Sequence, residues 1–165
     1  MGRMFESIRR FEDHLALVQR RRYGLIEIRD GQFFAIHFRP WPRIITALEV
    51  NSIGRWKHRH LTRDRCLLYF NQPIRHRNFL ALKYIFSSQG SSCRTLHQAT
   101  KTLDCVARIK RSDAIVTEVF NRRISDRLMR RLGWVPHCPE RSGHHYIKRF
   151  YGQYPAYTDN LAASE

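Results

Sequence analysis

The stretch of residues 113–134, DAIVTEVFNRRISDRLMRRLGW, limits what this chain can fold into more than any other. Residues 114–120 are apolar and rich in β-branched side chains, which predicts a buried strand. Asn121 follows, and Ile124, Leu128 and Leu132 recur at every fourth residue, the period of a helix with one buried face. Asn is a favoured residue at a helix start, so Asn121 is expected to cap this helix. Gly133 supplies the left-handed backbone that closes it, and Trp134 is placed to fold back on the last turn. A strand feeding a helix of this kind belongs to an α/β or α+β domain.

The neighbouring segments extend that domain in both directions. CLLYFN (66–71) and NFLALKYIFSS (78–88) are two apolar runs separated by QPIRHR, whose Pro73 and charges mark a turn. Further upstream, GLIEIRDGQFFAIHFRP has alternating runs on either side of Asp30-Gly31, a pair suited to the positive φ angles of a type I′ hairpin. Pro40 and Pro42 then interrupt the ladder, and RIITALEV (43–50) is short enough to suit strand or helix. Phe5, Ile8, Phe11, Leu15 and Val18 predict an amphipathic helix over residues 4–20 that docks on the sheet. After a turn at 89–98, QGSSCRTLHQ, the stripe Leu96, Ala99, Leu103, Val106 and Ala107 predicts a second helix. HHYIKRFY alternates as a last strand, with Tyr146, Lys148 and Phe150 on one side. The expected organisation is one domain over residues 1–152 and a mobile tail over residues 153–165.

The order helix, strand, helix, Gly-aromatic and hairpin over residues 84–151 resembles the C-terminal half of the GNAT acyltransferase superfamily. The resemblance implies an α+β fold with a mostly antiparallel central sheet, flanking helices and one parallel strand pair. It also implies an acyl-CoA cofactor, acetyl-CoA or another. In such a fold the strand before the turn parts from its neighbour to hold the pantetheine arm, and the turn with the following helix start receives the pyrophosphate. Carried onto this chain, the turn assigns cofactor binding to Gln89, Gly90, Ser91, Ser92 and Arg94, with N–H groups and the positive helix end facing the anion. The family turn carries two glycines where this chain has Gly90 alone. The resemblance also implies transfer to an amine acceptor, and Glu118 is the acidic residue placed to take its proton, with Asn121 shaping the acceptor end. The Tyr that many members carry four residues before the glycine is here Met129, which has no proton to give. Tyr84 and Tyr146 are expected in aromatic packing.

Charge supports a second reading. Thirty Lys and Arg against 14 Asp and Glu leave a formal net charge of +16, which favours an anionic partner, and would suit an amine acceptor that is itself anionic or borne on an RNA such as tRNA. Arg55, Lys57, Arg59 and Arg63 surround Trp56 in a basic segment where cations could hold phosphates while the ring stacks on a base. The alternative function is thus a non-catalytic GNAT-like domain that binds nucleic acid or another polyanion. Cys66, Cys93, Cys105 and Cys138 show no CxxC spacing, so no disulfide framework is implied. His137, Cys138, His144 and His145 are polar hairpin ends, and no metal is assigned. No apolar run is long enough to span a bilayer and no signal-peptide core is present, so a cytoplasmic location is the expectation.

Overall fold

The computed structural model describes residues 6–41, 64–88, 90–119, 124–138, 140 and 144–160. The apolar runs become strands of one sheet: β1 (Glu6–Ile8), β2 (Tyr23–Arg29), β3 (Gln32–Arg39), β4 (Arg65–Asn71), β5 (Phe79–Ser87), β6 (Ala114–Val119), β7 (Val135–Pro136) and β8 (His144–Arg149). Their spatial order is β1-β3-β2-β4-β5-β6-β8-β7. Each neighbouring pair is antiparallel except β5 with β6. A parallel pair needs a long crossover, and the helix over Cys93–Ile109 provides it. Shorter helices lie at Leu15–Arg20, Asp126–Arg131 and Tyr157–Asn160. In chain order these are α1 (Leu15–Arg20), α2 (Cys93–Ile109), α3 (Asp126–Arg131) and α4 (Tyr157–Asn160). A mixed sheet with flanking helices is the α+β class expected from the sequence.

Asp30 and Gly31 both take positive φ, 50° and 73°, and so close the β2–β3 hairpin as their sequence required. Ala99, Leu103, Val106 and Ala107 of α2 are fully buried against Ile26, Ile28, Leu68, Phe70, Leu80 and Leu82. Burying a side chain the size of Leu or Phe contributes about 1.5–3 kcal/mol, so this layer dominates the fold energetically. On the opposite sheet face, Leu25, Leu67 and Tyr69 form a smaller cluster joined by Tyr84 and Phe86.

The closing glycine acts as expected. Gly133 has φ +85°, its N–H donates to the Arg130 carbonyl at 3.0 Å, and the Trp134 N–H donates to the Met129 carbonyl at 2.9 Å. That pair of bonds is the Schellman motif, and it turns the buried Trp134 back onto the core. The opening of the same helix differs from the expectation. Ser125, not Asn121, is the N-cap, accepting from the Leu128 N–H at 3.3 Å, and α3 is correspondingly short. The apolar spacing of Ile124, Leu128 and Leu132 continues one residue ahead of the cap, so periodicity overran the helix.

Two further expectations are corrected. Residues 4–20 are not one helix: β1 pairs with the free edge of β3, a single 3-10 turn follows at Glu12–His14, and only α1 is α-helical. Pairing at a sheet edge satisfies the backbone groups of β1, and Leu15, which the helical stripe placed inside, is 40% exposed. The tail also packs. Tyr154 donates to the Ser112 carbonyl at 2.9 Å, the Tyr157 hydroxyl donates to Asp104, and Thr158 is buried beneath Arg108. Residues 154–158 of the stretch expected to be mobile are therefore held against the domain.

Candidate active site

The parallel β5–β6 ladder is short. It pairs Phe79 with Ala114 through Leu82 with Thr117, and no later residues of the two strands are partners. Beyond that point β5 stays with β4 as far as Ser87, while β6 stays with β8 as far as Val119. The strands therefore part into a wedge that opens toward their C-terminal ends. A bulge at Tyr69/Phe70 drives the divergence: Tyr69 faces Tyr84 whereas Phe70 faces Leu82, which leaves Lys83 as the extra residue of β5. Thr117 Oγ1 donates to the Leu82 carbonyl at 3.0 Å and seals the floor.

Glu118 is the first β6 residue past the ladder. It pairs across the sheet with His145, whose Nε2 lies 3.8 Å from Glu118 Oε1, and its side chain is 39% exposed. Along β6, Ile115 and Val119 join the core beneath α2, so Glu118 projects from the other face, the face that carries Tyr84 and Phe86. A carboxylate beside an imidazole at the mouth of a cleft can accept and pass on a proton. His145 is a partner that the sequence placed only in a polar hairpin end.

The turn after β5 is built for a helix start, but an internal anion already occupies it. Ser92 caps α2, accepting from the Thr95 N–H at 3.2 Å. The carboxylate of Asp64 accepts from the Ser92 N–H at 3.0 Å, from Ser92 Oγ at 2.6 Å and from Thr95 Oγ1 at 2.7 Å. Hydrogen bonds from Ser92 and then Thr95 hold this carboxyl below the ordinary aspartate range. Ser91 Oγ donates to the Arg65 carbonyl at 3.1 Å, and Gly90 takes φ +86°. Arg94 lies over the β2–β3 hairpin, and a Cβ on Gly31 would stand 2.8 Å from its Cδ. Ser91 and Ser92 thus sit together at the turn, whereas Arg94 is engaged with the hairpin.

Other sequence expectations divide in the same way. Met129 is buried in the core beside Trp134. Tyr146 is buried and donates to Asp126 at the start of α3; burial and then that bond push its phenol up to about 12. Gln89, Asn121, the segment 43–50 and the basic residues Arg55, Lys57, Arg59 and Arg63 lie outside the described residues. The sequence reading missed Glu27. It is 3% exposed and bonded by Arg29 at 2.7 Å, Arg65 at 2.5 Å and His37 at 3.0 Å, with Ser7 Oγ 2.7 Å from the other His37 nitrogen. A lone Glu in an alternating apolar strand was the available signal.

No family model and no curated protein matches this sequence. Among solved structures, nourseothricin acetyltransferase is similar with a TM-score of 0.42 and 9% identity, over 89% of this chain and 99% of that one. A likeness at that level is too distant to support an inference about chemistry. Among the described residues, no helix is long and apolar enough to cross a membrane.

Proposed function

We propose that this chain is a GNAT-like N-acyltransferase that moves an acyl group from an acyl-CoA thioester to an amine. The observation that carries the reading is the wedge between β5 and β6, with Glu118 and His145 at its mouth. Parted strand edges offer backbone donors and acceptors to an amide-bearing arm, and Tyr84 and Phe86 give it an apolar wall. When bound, the cofactor supplies the acyl group in activated form. This chain's own contribution is to hold the amine near Glu118, whose carboxylate takes the proton the amine loses and becomes neutral, with His145 beside it to pass that proton on. Asn121 shapes the acceptor end. Gln89, Gly90, Ser91, Ser92 and Arg94 are the groups assigned to the pyrophosphate, but Ser92 and Thr95 do not fit it while the Asp64 carboxylate holds them. Release of Asp64 is the condition for that contact.

The experiment is a thermal-shift titration with acetyl-CoA, desulfo-CoA and ATP on the wild type and on Asp64→Ala. Saturable stabilisation by both CoA species but not by ATP is expected, at lower concentration in the variant because a like charge has left the helix start. If neither protein is stabilised by any CoA species, the acyltransferase reading is wrong. A second reading, a non-catalytic nucleic-acid-binding domain, is favoured by Asp64 on the helix start and by Met129 in the place of a proton donor. It assigns phosphate contact to Arg55, Lys57, Arg59 and Arg63, and Arg59→Ala with Arg63→Ala should then flatten the salt dependence of RNA binding.

A further inference from the structure

At the end of the sheet away from the wedge, several chain segments converge. The Gln72 N–H donates to the Arg22 carbonyl at 2.7 Å, and the Gln72 side-chain amide donates to the Arg77 carbonyl. Lys110, just past α2, donates to the Arg21 carbonyl at 2.6 Å and to Gln72 Oε1 at 3.1 Å. The Asp113 N–H donates to the Asn78 carbonyl at 2.7 Å, while the Asp113 carbonyl accepts from Phe150 and Tyr151. These bonds bring Arg22, Arg75, Arg77, Arg111 and Arg149 to one end of the molecule.

The charge there is not neutralised internally. Among the described residues none of these five arginines has a carboxylate partner, whereas Arg21 is matched to Glu6 at 2.6 Å. Asp113, on the same end, accepts from the Asn78 amide at 2.9 Å. Burial, and then the charge of Arg22, brings the Lys110 ammonium down to about 8, in keeping with a positive local field. Tyr151, two residues after Arg149, is 69% exposed at a tip with φ 47°. A phenol ring exposed to that degree has no packing role.

We propose that this end of the domain binds single-stranded nucleic acid, with the arginines on successive phosphates and Tyr151 stacked on an unpaired base. From β2 to β8 is four strand spacings, about 19 Å, so the arginines are spread to suit a linear polyanion rather than a single phosphate. Guanidinium forks match phosphate oxygens two at a time, and an aromatic ring tolerates any base. The surface is at the opposite end of the sheet from the wedge, and it does not depend on the acyltransferase reading.

The test is fluorescence anisotropy of the full chain with a labelled oligouridylate of about 20 nucleotides, titrated across a range of salt. Five phosphate contacts predict a slope of log affinity against log salt of about −3.5. Arg75→Glu with Arg77→Glu should weaken binding about tenfold or more and reduce the slope by about 1.4. Tyr151→Ala should weaken binding about tenfold with little change of slope, and Tyr151→Phe should restore it. Arg127→Glu with Arg131→Glu on α3 serves as the control and should leave binding near wild type. Melting by circular dichroism identifies any variant that has lost its fold, and the Tyr151 pair still decides the matter if the arginine variant has. Wild-type affinity in the Arg75/Arg77 variant, equal loss in the α3 control, or binding to phosphatidylserine vesicles without saturable binding to the oligonucleotide would each overturn the proposal.

Discussion

Buried charge decides which single residues this fold depends on. Lys148 is the clearest case: its Nζ donates to Asp104 Oδ2 at 2.6 Å and to the Leu132 carbonyl at 3.0 Å, joining β8 to α2 and to the end of α3. Lys148→Met would leave Asp104 buried without its cation, and a loss of about 3–5 kcal/mol in urea unfolding is expected. Glu27 gives a pH dependence. Burial acts to raise its pKa, but hydrogen bonds from His37 and Arg29 and the charges of Arg65 and Arg29 outweigh it and hold the carboxyl below the ordinary glutamate range. A carboxyl depressed in the folded state contributes stability above its unfolded pKa and loses it as pH falls through the folded value. Wild-type stability should therefore drop more steeply below the ordinary glutamate pKa than that of Glu27→Gln, as followed by denaturant midpoints. Alternation showed that Glu27 lies on a strand, but two of its three partners, His37 and Arg65, come from other strands and were out of reach of any local pattern.

At the level of elements, caps and stops set where helices begin and end. Ser125→Ala should cost about 1 kcal/mol, because the Leu128 N–H loses its acceptor, and a shallower helical melting transition would register it. Gly133→Ala should cost about 1–2 kcal/mol, since φ +85° is strained for any side chain and the new Cβ would lie 3.0 Å from the fixed Lys148 Cε. The glycine stop was legible because only one residue type meets that backbone demand cheaply. The cap was not, because Asn121 and Ser125 are both good cap residues and local chemistry does not choose between them. The N-terminal segment failed for a related reason: helical spacing in Ile8, Phe11 and Val18 coincided with burial, but the open edge of β3 claimed β1.

For the molecule as a whole, the C-terminal stretch and the wedge are the points to test. Removing residues 153–165 should lower the melting temperature, because Tyr154, Tyr157 and Thr158 bond to Ser112, Asp104 and Arg108; a mobile tail would leave it unchanged. Glu118→Gln should slow amine acylation about 100-fold while leaving CoA stabilisation intact, checked by thiol release beside thermal shift. Glu118 was legible as the acid late in a strand after a helix. Its position at the first step of β6 beyond the β5 pairing depends on a bulge two strands away, between Tyr69 and Phe70, which no pattern in residues 114–120 encodes.

The sequence by itself determined the strands β4, β5, β6 and β8, the Asp30-Gly31 hairpin, the buried stripe of α2 and the closing glycine. Each follows from a period or a backbone angle that neighbouring residues impose on one another. Only the tertiary structure decided that Asp64 takes the helix start where an outside anion was expected, that Glu118 meets His145, and that Arg22, Arg75, Arg77, Arg111 and Arg149 share one end. Those partners are far apart in the chain, and the sheet order brings them together. A charge has no periodicity of its own, so its role depends on what the fold places opposite it.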